Sequence, residues 1–179
     1  MKLRHLFFAC YGVFVIMFSL LLLVVIVFSD EEDGGSSGNL IYGGVSVSQE
    51  VLAHKPMLEK YAREYGIEEY LNVLLAIIQV ESGGTLEDVM QSSESLGLPP
   101  NSLSTEESIK QGCKYFSELL AAAEAKGCDL NSVVQSYNYG GGFLDYVAGR
   151  GKKYTFELAE SFARDKSGGK KVTYTNLLP

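Results

Sequence analysis

The chain has 179 residues, 46% of them hydrophobic and 21% charged, a length that provides for one domain of ordinary size. Its 22 acidic and 15 basic residues give a formal net charge of −7. Nucleic acid is therefore excluded as an expected partner, because binding to phosphates requires a basic surface.

An uncharged apolar run extends from Leu6 to Phe28. Its 23 residues would extend roughly 34 Å as a helix, enough to cross a hydrocarbon layer of about 30 Å. A cleaved signal peptide is the alternative, but the run is too long for one and no small-x-small cleavage site follows. Lys2 and Arg4 precede the run, and acidic residues at 30–33 follow it. The pattern predicts a single-pass signal-anchor in the cell membrane, with residues 1–5 cytoplasmic and the rest extracellular.

Residues 29–46 are rich in glycine and serine and predict a flexible extracellular linker, which leaves residues 47–179 as the globular domain. Two cysteines, Cys113 and Cys128, lie in this domain. A continuous helix from Cys113 to about residue 125 would separate them by about 18 Å, whereas a disulfide requires Cα atoms within about 7 Å. We therefore expect two free thiols.

The first half of the domain shows helix signals and little strand-like alternation. Pro56 can occupy the first turn of a helix that Gly66 ends. A second helix over residues 69–81 is apolar on every side, which is typical of a helix at the centre of a fold. The glycine- and proline-containing segment 82–101 predicts a long irregular loop, and loops of that length are usually functional.

The second half of the domain is also predicted to be helical. Ser104 and Glu107 form a capping box for a long helix that ends near Gly127. Shorter helices are expected after Asp129, over residues 143–148, and over residues 156–166 with Thr155 as N-cap. The predicted fold class is therefore mainly α, preceded by one N-terminal transmembrane helix.

Glu81 is the strongest candidate for a chemical role. It ends the apolar helix and directly precedes Ser82-Gly83-Gly84, so its backbone belongs to the core while its side chain can face a cleft. Apolar surroundings and the negative end of a helix dipole both raise the pKa of such a carboxyl. A carboxyl that stays protonated near neutral pH is what a glycosidase needs as general acid. A glutamate that merely ends a helix is the alternative, and local sequence does not decide between the two.

Three motifs occur in order: Val80-Glu81-Ser82-Gly83-Gly84, Asp88-Val89-Met90-Gln91 and Ser136-Tyr137-Asn138-Tyr139-Gly140. As a set they resemble the signatures of the lysozyme-like fold shared by goose-type lysozymes and soluble lytic transglycosylases. The chain is still more similar to the lysozyme-like domain of the bifunctional cell-wall hydrolases of Gram-positive conjugative elements, in which Met-Gln-Ser-Ser-Glu-Ser follows the glutamate helix. The resemblance covers roughly residues 47–179. Asp88 and Ser136 depart from the transglycosylase pattern, which leaves the product chemistry open.

The resemblance implies roles for individual residues. Glu81 would be the catalytic acid and base, and Gln91 would line the cleft near the scissile bond. Tyr137 and Asn138 would hold the substrate and the catalytic carboxyl. Ordinary loop or core positions are the alternative interpretation. The other residues expected to bind substrate are Ser82, Tyr139 and Tyr154, the tyrosines through aromatic faces presented to sugar rings.

A second carboxylate is usually needed for glycoside hydrolysis. Glu94 in the long loop is the candidate, with Asp88 and Glu87 behind it, although all three could be solvated loop charges. The resemblance to the hydrolases of conjugative elements implies the activity of an N-acetylmuramidase, which hydrolyses the β-1,4 bond between MurNAc and GlcNAc for local wall remodelling. The alternatives are a lytic transglycosylase that leaves 1,6-anhydro-MurNAc ends and a non-catalytic cell-wall-binding scaffold.

No cofactor and no metal site are expected. His5 and His54 lie on opposite sides of the predicted span, and the two exported cysteines lack metal-ligand spacing. The expected partners are peptidoglycan glycan strands and, through the N-terminal helix, the membrane. The resemblance also admits a role in conjugative transfer, with envelope secretion or conjugation machinery as a partner.

Overall fold

The computed structural model describes residues 40–42 and 45–167. The predicted membrane span, the first part of the predicted linker and the segment after residue 167 lie outside the described residues. Among the helices that are described, none combines the length and the apolar character needed to cross a bilayer.

The described part is mainly helical, as predicted, with seven α-helices after one short hairpin. The strands β1 (Leu40–Tyr42) and β2 (Val45–Val47) pair antiparallel. The helices are α1 (Gln49–Ala53), α2 (Lys55–Glu64), α3 (Leu71–Glu81), α4 (Thr105–Lys126), α5 (Leu130–Tyr139), α6 (Gly142–Ala148) and α7 (Phe156–Lys166). Two 3-10 helices, Glu68–Tyr70 and Ser92–Leu96, precede α3 and lie between α3 and α4.

Helix α3 is the centre of the fold. Six consecutive residues, 73–78, are at most 6% exposed, so every side of the helix is covered by other parts of the chain. Strand β2, α1 and α2 pack directly against it. One continuous cluster of buried side chains joins α3 to α2, α4 and α5. This matches the prediction from its uniformly apolar sequence.

The helix boundaries follow the local signals that predicted them. Ser104 and Glu107 form the capping box of α4, and Gly127 ends that helix at a φ of 68°. Asp129 accepts a hydrogen bond from the backbone N–H of Ser132 at the start of α5, at 3.0 Å. Thr155 similarly caps α7.

A second, aromatic cluster attaches the C-terminal helices. Phe143 and Phe162, on α6 and α7, lie with ring centroids 5.2 Å apart. Tyr139 at the end of α5 stacks on Phe162 at 5.6 Å. Because Tyr139 belongs to the motif at the end of α5, this cluster fixes that motif relative to the last two helices.

Several features were not predicted. The hairpin β1–β2 falls within and just beyond the segment interpreted as linker, and α1 directly follows it. Three-residue strands are too short to display an alternating pattern, so the sequence carries little signal for them. The two free cysteines are confirmed, with Cys113 buried and Cys128 partly buried.

Candidate active site

Glu81 ends α3 in a buried position facing a cleft. Its side chain is 8% exposed, and both carboxyl oxygens are buried without a hydrogen-bond partner among the described residues. The chain turns immediately afterwards, because Gly83 and Gly84 adopt φ angles of 61° and 78° that glycine tolerates readily. The helix end therefore leaves a single unpaired carboxyl directed away from the helix.

Burial raises the pKa of Glu81 to about 8, since an ionised carboxylate loses its hydration there. The negative charge of Glu94 raises this pKa further, and Asp88 adds a smaller effect in the same direction. Asn138 offsets part of the shift, although its amide does not complete a hydrogen bond of ordinary geometry with either oxygen. The carboxyl is consequently neutral at neutral pH, as its sequence position predicts.

A cavity of about 160 Å³ lies in front of Glu81 and opens to solvent. Four segments of the chain contribute to it: the end of α3, the loop between α3 and α4, the middle of α4 and the end of α5. Its lining residues are Glu81, Gln91, Ser92, Glu94, Ser95, Tyr115, Tyr137, Asn138, Tyr139 and Gly140.

The segment from residue 82 to 104, here called the cleft loop, is organised around the buried carboxylate of Asp88. This carboxylate accepts hydrogen bonds from the backbone N–H groups of Ser92 and Ser93, at 2.9 and 3.2 Å, and from the Ser108 hydroxyl at 2.6 Å. Ser108 also accepts the backbone N–H of Met90 at 2.9 Å, which ties the loop to α4. Asp88 therefore holds the loop together and does not line the cleft. It is not placed to act as the second carboxylate, for which it was a candidate behind Glu94.

Gln91 lies in the cleft lining, as predicted, in an unusual backbone conformation. Its φ of 47° and ψ of 38° belong to the left-handed region, which residues other than glycine seldom adopt. The side-chain amide donates to the Asp88 carbonyl and to Asn101 Oδ1, both at 2.8 Å. These bonds hold the loop in place from within and fix the Gln91 side chain at the edge of the cleft.

The motif on α5 also reaches the cleft. Tyr137 is buried, and its hydroxyl donates to the Met90 carbonyl at 3.0 Å, so it joins α5 to the cleft loop. Burial raises the pKa of Tyr137 well above its ordinary value, and the nearby Glu81 adds to that shift. Asn138 and Tyr139 line the cleft beside it. Five residues proposed from separated motifs are thus brought together: Glu81, Gln91, Tyr137, Asn138 and Tyr139.

Two predicted substrate-binding residues lie elsewhere. The hydroxyl of Ser82 points inward, donates to the Val89 carbonyl at 2.7 Å and accepts the Gly84 N–H at 3.1 Å. Ser82 therefore stabilises the turn behind Glu81. Tyr154 packs on Phe143 in the aromatic cluster, with centroids 6.4 Å apart, and is not among the cleft-lining residues.

Glu94 is an exposed residue of the cleft lining. Partial desolvation raises the pKa of its carboxyl, and the charge of Asp88 raises it further. Glu87, the other acidic neighbour, is exposed and does not line the cleft. Glu94 is therefore the second cleft carboxyl, in a wetter environment than Glu81.

Tyr115, Ser92 and Ser95 also line the cleft and were not identified from the sequence. Tyr115 lies on α4, with its ring centroid 5.5 Å from that of Tyr137. Within a long amphipathic helix it has no distinguishing pattern, so only the packing of α4 against α5 reveals its position. Within the described residues, no group of three or more histidine, cysteine or acidic side chains is arranged to hold a metal ion.

A family model described as Lysozyme-like matches residues 48–178. Over 124 residues the chain is 44% identical to the bifunctional muramidase/DL-endopeptidase CwlT of Bacillus subtilis (strain 168), an alignment that covers 69% of this chain and 37% of that protein. It is 37% identical over 121 residues to the uncharacterized membrane protein YocA of the same strain, covering 67% of this chain and 54% of YocA.

A crystal structure of a protein from Staphylococcus aureus subsp. aureus Mu50, described as similar to lipoprotein, NLP/P60 family, is also similar. The TM-score is 0.72 at 72% sequence identity, and the match covers 74% of this chain and 45% of that one. The chain thus spans about half the length, or less, of these relatives. The family resemblance predicted from the three motifs is confirmed.

Replacing Asp88 with asparagine should destabilise the fold. Asparagine offers one acceptor oxygen and an amide that opposes the backbone N–H groups of Ser92 or Ser93, so buried donors lose their partner. We expect the free energy of unfolding to fall by about 2–4 kcal/mol in urea denaturation. The control is Glu87→Gln, an exposed neighbour, which should change stability by no more than about 0.5 kcal/mol. Equal effects of the two substitutions would contradict the role assigned to Asp88.

Replacing Glu81 with glutamine should stabilise the fold at high pH. The pKa of Glu81 rises from 4.5 in the unfolded chain to about 8 in the folded one. The wild type therefore loses stability as the pH rises from about 4.5 to about 8, whereas the neutral amide does not. We expect the stability difference between variant and wild type to grow by on the order of 3–5 kcal/mol from pH 4 to pH 9, measured by urea denaturation. A difference that stays constant with pH would refute the raised pKa.

Proposed function

The chain belongs to the Lysozyme-like family, and from this premise we propose that it is a glycosidase that cleaves the glycan strands of peptidoglycan, with Glu81 as its general acid. One observation carries the proposal. Glu81 is a buried, unpaired carboxyl with a pKa raised to about 8, and it faces an open cleft. Such a group retains its proton at neutral pH and has no internal acceptor that would hold it.

In the proposed reaction, the Glu81 carboxyl donates its proton to the glycosidic oxygen, and the bond from that oxygen to the muramyl C1 breaks. Asn138 lies beside the carboxyl and can stabilise the carboxylate once the proton has left. The tyrosines of the cleft, Tyr115, Tyr137 and Tyr139, provide aromatic surface against which sugar rings can pack.

Glu94 is the proposed base for hydrolysis. It takes a proton from a water molecule whose oxygen forms the new bond to the muramyl C1, while the leaving GlcNAc oxygen keeps the proton from Glu81. The exposed position of Glu94 in the same cleft suits a group that activates water. The product is then a reducing MurNAc end, which is the N-acetylmuramidase outcome.

The relatives support the proposed muramidase activity. CwlT is named a muramidase and an endopeptidase, and the segment similar to this chain is 37% of its length. We carry over the muramidase activity, because glycan cleavage suits the cleft that contains Glu81, and not the peptidase activity. The proposal includes the single-pass membrane anchor and the extracellular catalytic domain, which rest on the sequence alone. It also includes a role in wall remodelling during conjugative transfer, which rests on the family resemblance.

Lytic transglycosylation is the second candidate, and one observation favours it. Glu81 is the only buried carboxyl among the cleft-lining residues, and a transglycosylase needs a single group that acts first as acid and then as base. In that reaction the muramyl C6 hydroxyl, in place of water, forms the new bond to C1, and its proton returns to Glu81.

Loss of the Glu81 proton should abolish cleavage. Glu81→Gln cannot donate, so we expect clearing of purified Gram-positive cell walls in zymograms to fall by at least about 10²-fold, while Glu87→Gln clears as the wild type does. The wild-type rate should also decline as the pH passes about 8, where Glu81 ionises. Full clearing by Glu81→Gln would refute the proposed acid, and absence of clearing by every form would favour the non-catalytic scaffold.

The products distinguish hydrolysis from transglycosylation. If Glu94 activates water, mass spectrometry of the digested glycan should show reducing MurNAc ends, and Glu94→Gln should lower their rate of formation by roughly 10²-fold. Anhydro ends that form at the same rate with Glu94→Gln would assign the transglycosylase route and remove Glu94 from the chemistry.

A further inference from the structure

The segment from Ser48 to His54, here called the N-terminal clamp, contacts the turn that follows Glu81. It connects β2 to α2 and includes α1. Nothing in the sequence motifs involves this segment, and it lines no part of the cleft. It nevertheless forms hydrogen bonds with Gln79 near the end of α3 and with Gly83 and Gly84 in the turn.

Ser48 makes the first pair of contacts. Its backbone N–H donates to Gln79 Oε1 at 2.7 Å, and its hydroxyl donates to the Gly83 carbonyl at 3.4 Å. Gln79 lies two residues before Glu81 on α3, and Gly83 lies two residues after it. The clamp therefore binds the chain on both sides of the carboxyl-bearing residue.

His54 makes the second contact. Its Nε2 lies 2.9 Å from the carbonyl oxygen of Gly84. A carbonyl can only accept, so Nε2 carries the hydrogen and donates it. Gly84 lies three residues beyond the end of α3, so this bond joins the start of α2 to the turn that follows Glu81.

Gly84 shows how closely the two segments approach. A Cβ at this position would lie 2.7 Å from the Glu50 carbonyl carbon and 2.7 Å from the Val51 nitrogen, both backbone atoms of α1. Because backbone cannot move aside as a side chain can, only glycine permits this contact. The positive φ of 78° adds a second reason for glycine here.

We propose that His54 and Ser48 are positioning residues that hold the turn after α3 and thereby fix the direction of the Glu81 carboxyl. The inference rests on the proposed function of Glu81 and extends it. A catalytic carboxylate is usually oriented by hydrogen bonds to its own oxygens. Glu81 has only the Asn138 side chain beside it, and its oxygens complete no hydrogen bond of ordinary geometry among the described residues. Its direction therefore depends strongly on the backbone on either side, and the clamp holds that backbone.

The position of the carboxyl also controls its exposure to water. If the turn loosens, water reaches the carboxyl oxygens and the desolvation that keeps the group neutral declines. Loss of the clamp should consequently misorient the Glu81 carboxyl and lower its pKa. A residue with a purely structural role would change stability without either effect.

The test compares three forms with the wild-type 179-residue chain. His54→Leu removes the donor, and His54→Gln keeps an amide N–H at similar reach. Val73→Ala is the stability control, because Val73 is buried in α3 about 12 Å from Glu81 along the helix axis. Two properties are measured for each form: the pKa of Glu81 by ¹³C NMR of its carboxyl, and kcat and KM on soluble peptidoglycan oligosaccharides.

We expect His54→Leu to lower the Glu81 pKa toward its ordinary value and to lower kcat by on the order of tenfold, with little change in KM. His54→Gln should restore both properties, and Val73→Ala should leave both near the wild-type values. If His54→Leu leaves the Glu81 pKa unchanged, or if His54→Gln fails as His54→Leu does, the clamp has no positioning role. If the pKa responds as expected but no form cleaves glycan, the clamp stands and the proposed function fails.

A glycine pair provides an independent check. Gly84→Ala and Gly66→Ala both place alanine at a positive φ, but a Cβ at Gly66 meets no atom within 4 Å. Backbone strain should therefore be similar in the two variants, and only Gly84→Ala should displace the clamp and lower the Glu81 pKa. Equal Glu81 pKa values in the two variants would overturn the proposal.

Discussion

The proposed chemistry depends on one buried carboxyl, that of Glu81, whose oxygens complete no hydrogen bond among the described residues. An ionised glutamate in the position of Glu81 would lose its hydration, and Asn138 would offset only part of that loss, so the carboxyl keeps its proton to about pH 8. That state requires surroundings that exclude water. Ile77 and Ile78, one turn before Glu81 on α3, are fully buried, and Tyr137 is buried close to the carboxyl. A less apolar end of α3 would admit water and lower the Glu81 pKa toward its ordinary value.

Two acidic residues seven positions apart illustrate how environment divides structural from chemical roles. Asp88 is fully buried, as Glu81 nearly is, but its oxygens accept three hydrogen bonds, two from backbone N–H groups and one from Ser108. Those donors solvate the charge in place of water, and the carboxylate becomes the point around which the cleft loop is arranged. Glu81 has only the Asn138 side chain beside it, and its oxygens complete no hydrogen bond among the described residues, so they stay available to a ligand. The difference lies in the number of hydrogen-bond partners, since depth of burial is nearly the same.

Much of the fold was predictable, because capping residues and glycines act locally. The capping box at Ser104 sets the start of α4, and the apolar run of α3 indicates a buried helix. Both signals lie within a short stretch of sequence. The cleft was predictable only through three motifs read together, and the errors have a common cause. Ser82 follows the catalytic position in sequence, but the helical turn directs its hydroxyl inward to Val89. Tyr115 reaches the cleft only because α4 packs on α5, and no local sequence pattern predicts that contact.

The charge of Glu94 acts on Glu81, and the environments of these two cleft carboxyls indicate which of them holds a proton. Glu94 is exposed and Glu81 is buried, so Glu94 ionises first as the pH rises. Its negative charge then raises the pKa of Glu81, which delays the second ionisation. Between the two steps the pair carries one proton, located on the buried member. Under the proposed function this is the state that hydrolysis requires, with a neutral acid against the glycosidic oxygen and an ionised base toward water. The same coupling means that removing the charge of Glu94 would also lower the pKa of Glu81, so the base contributes to keeping the acid protonated.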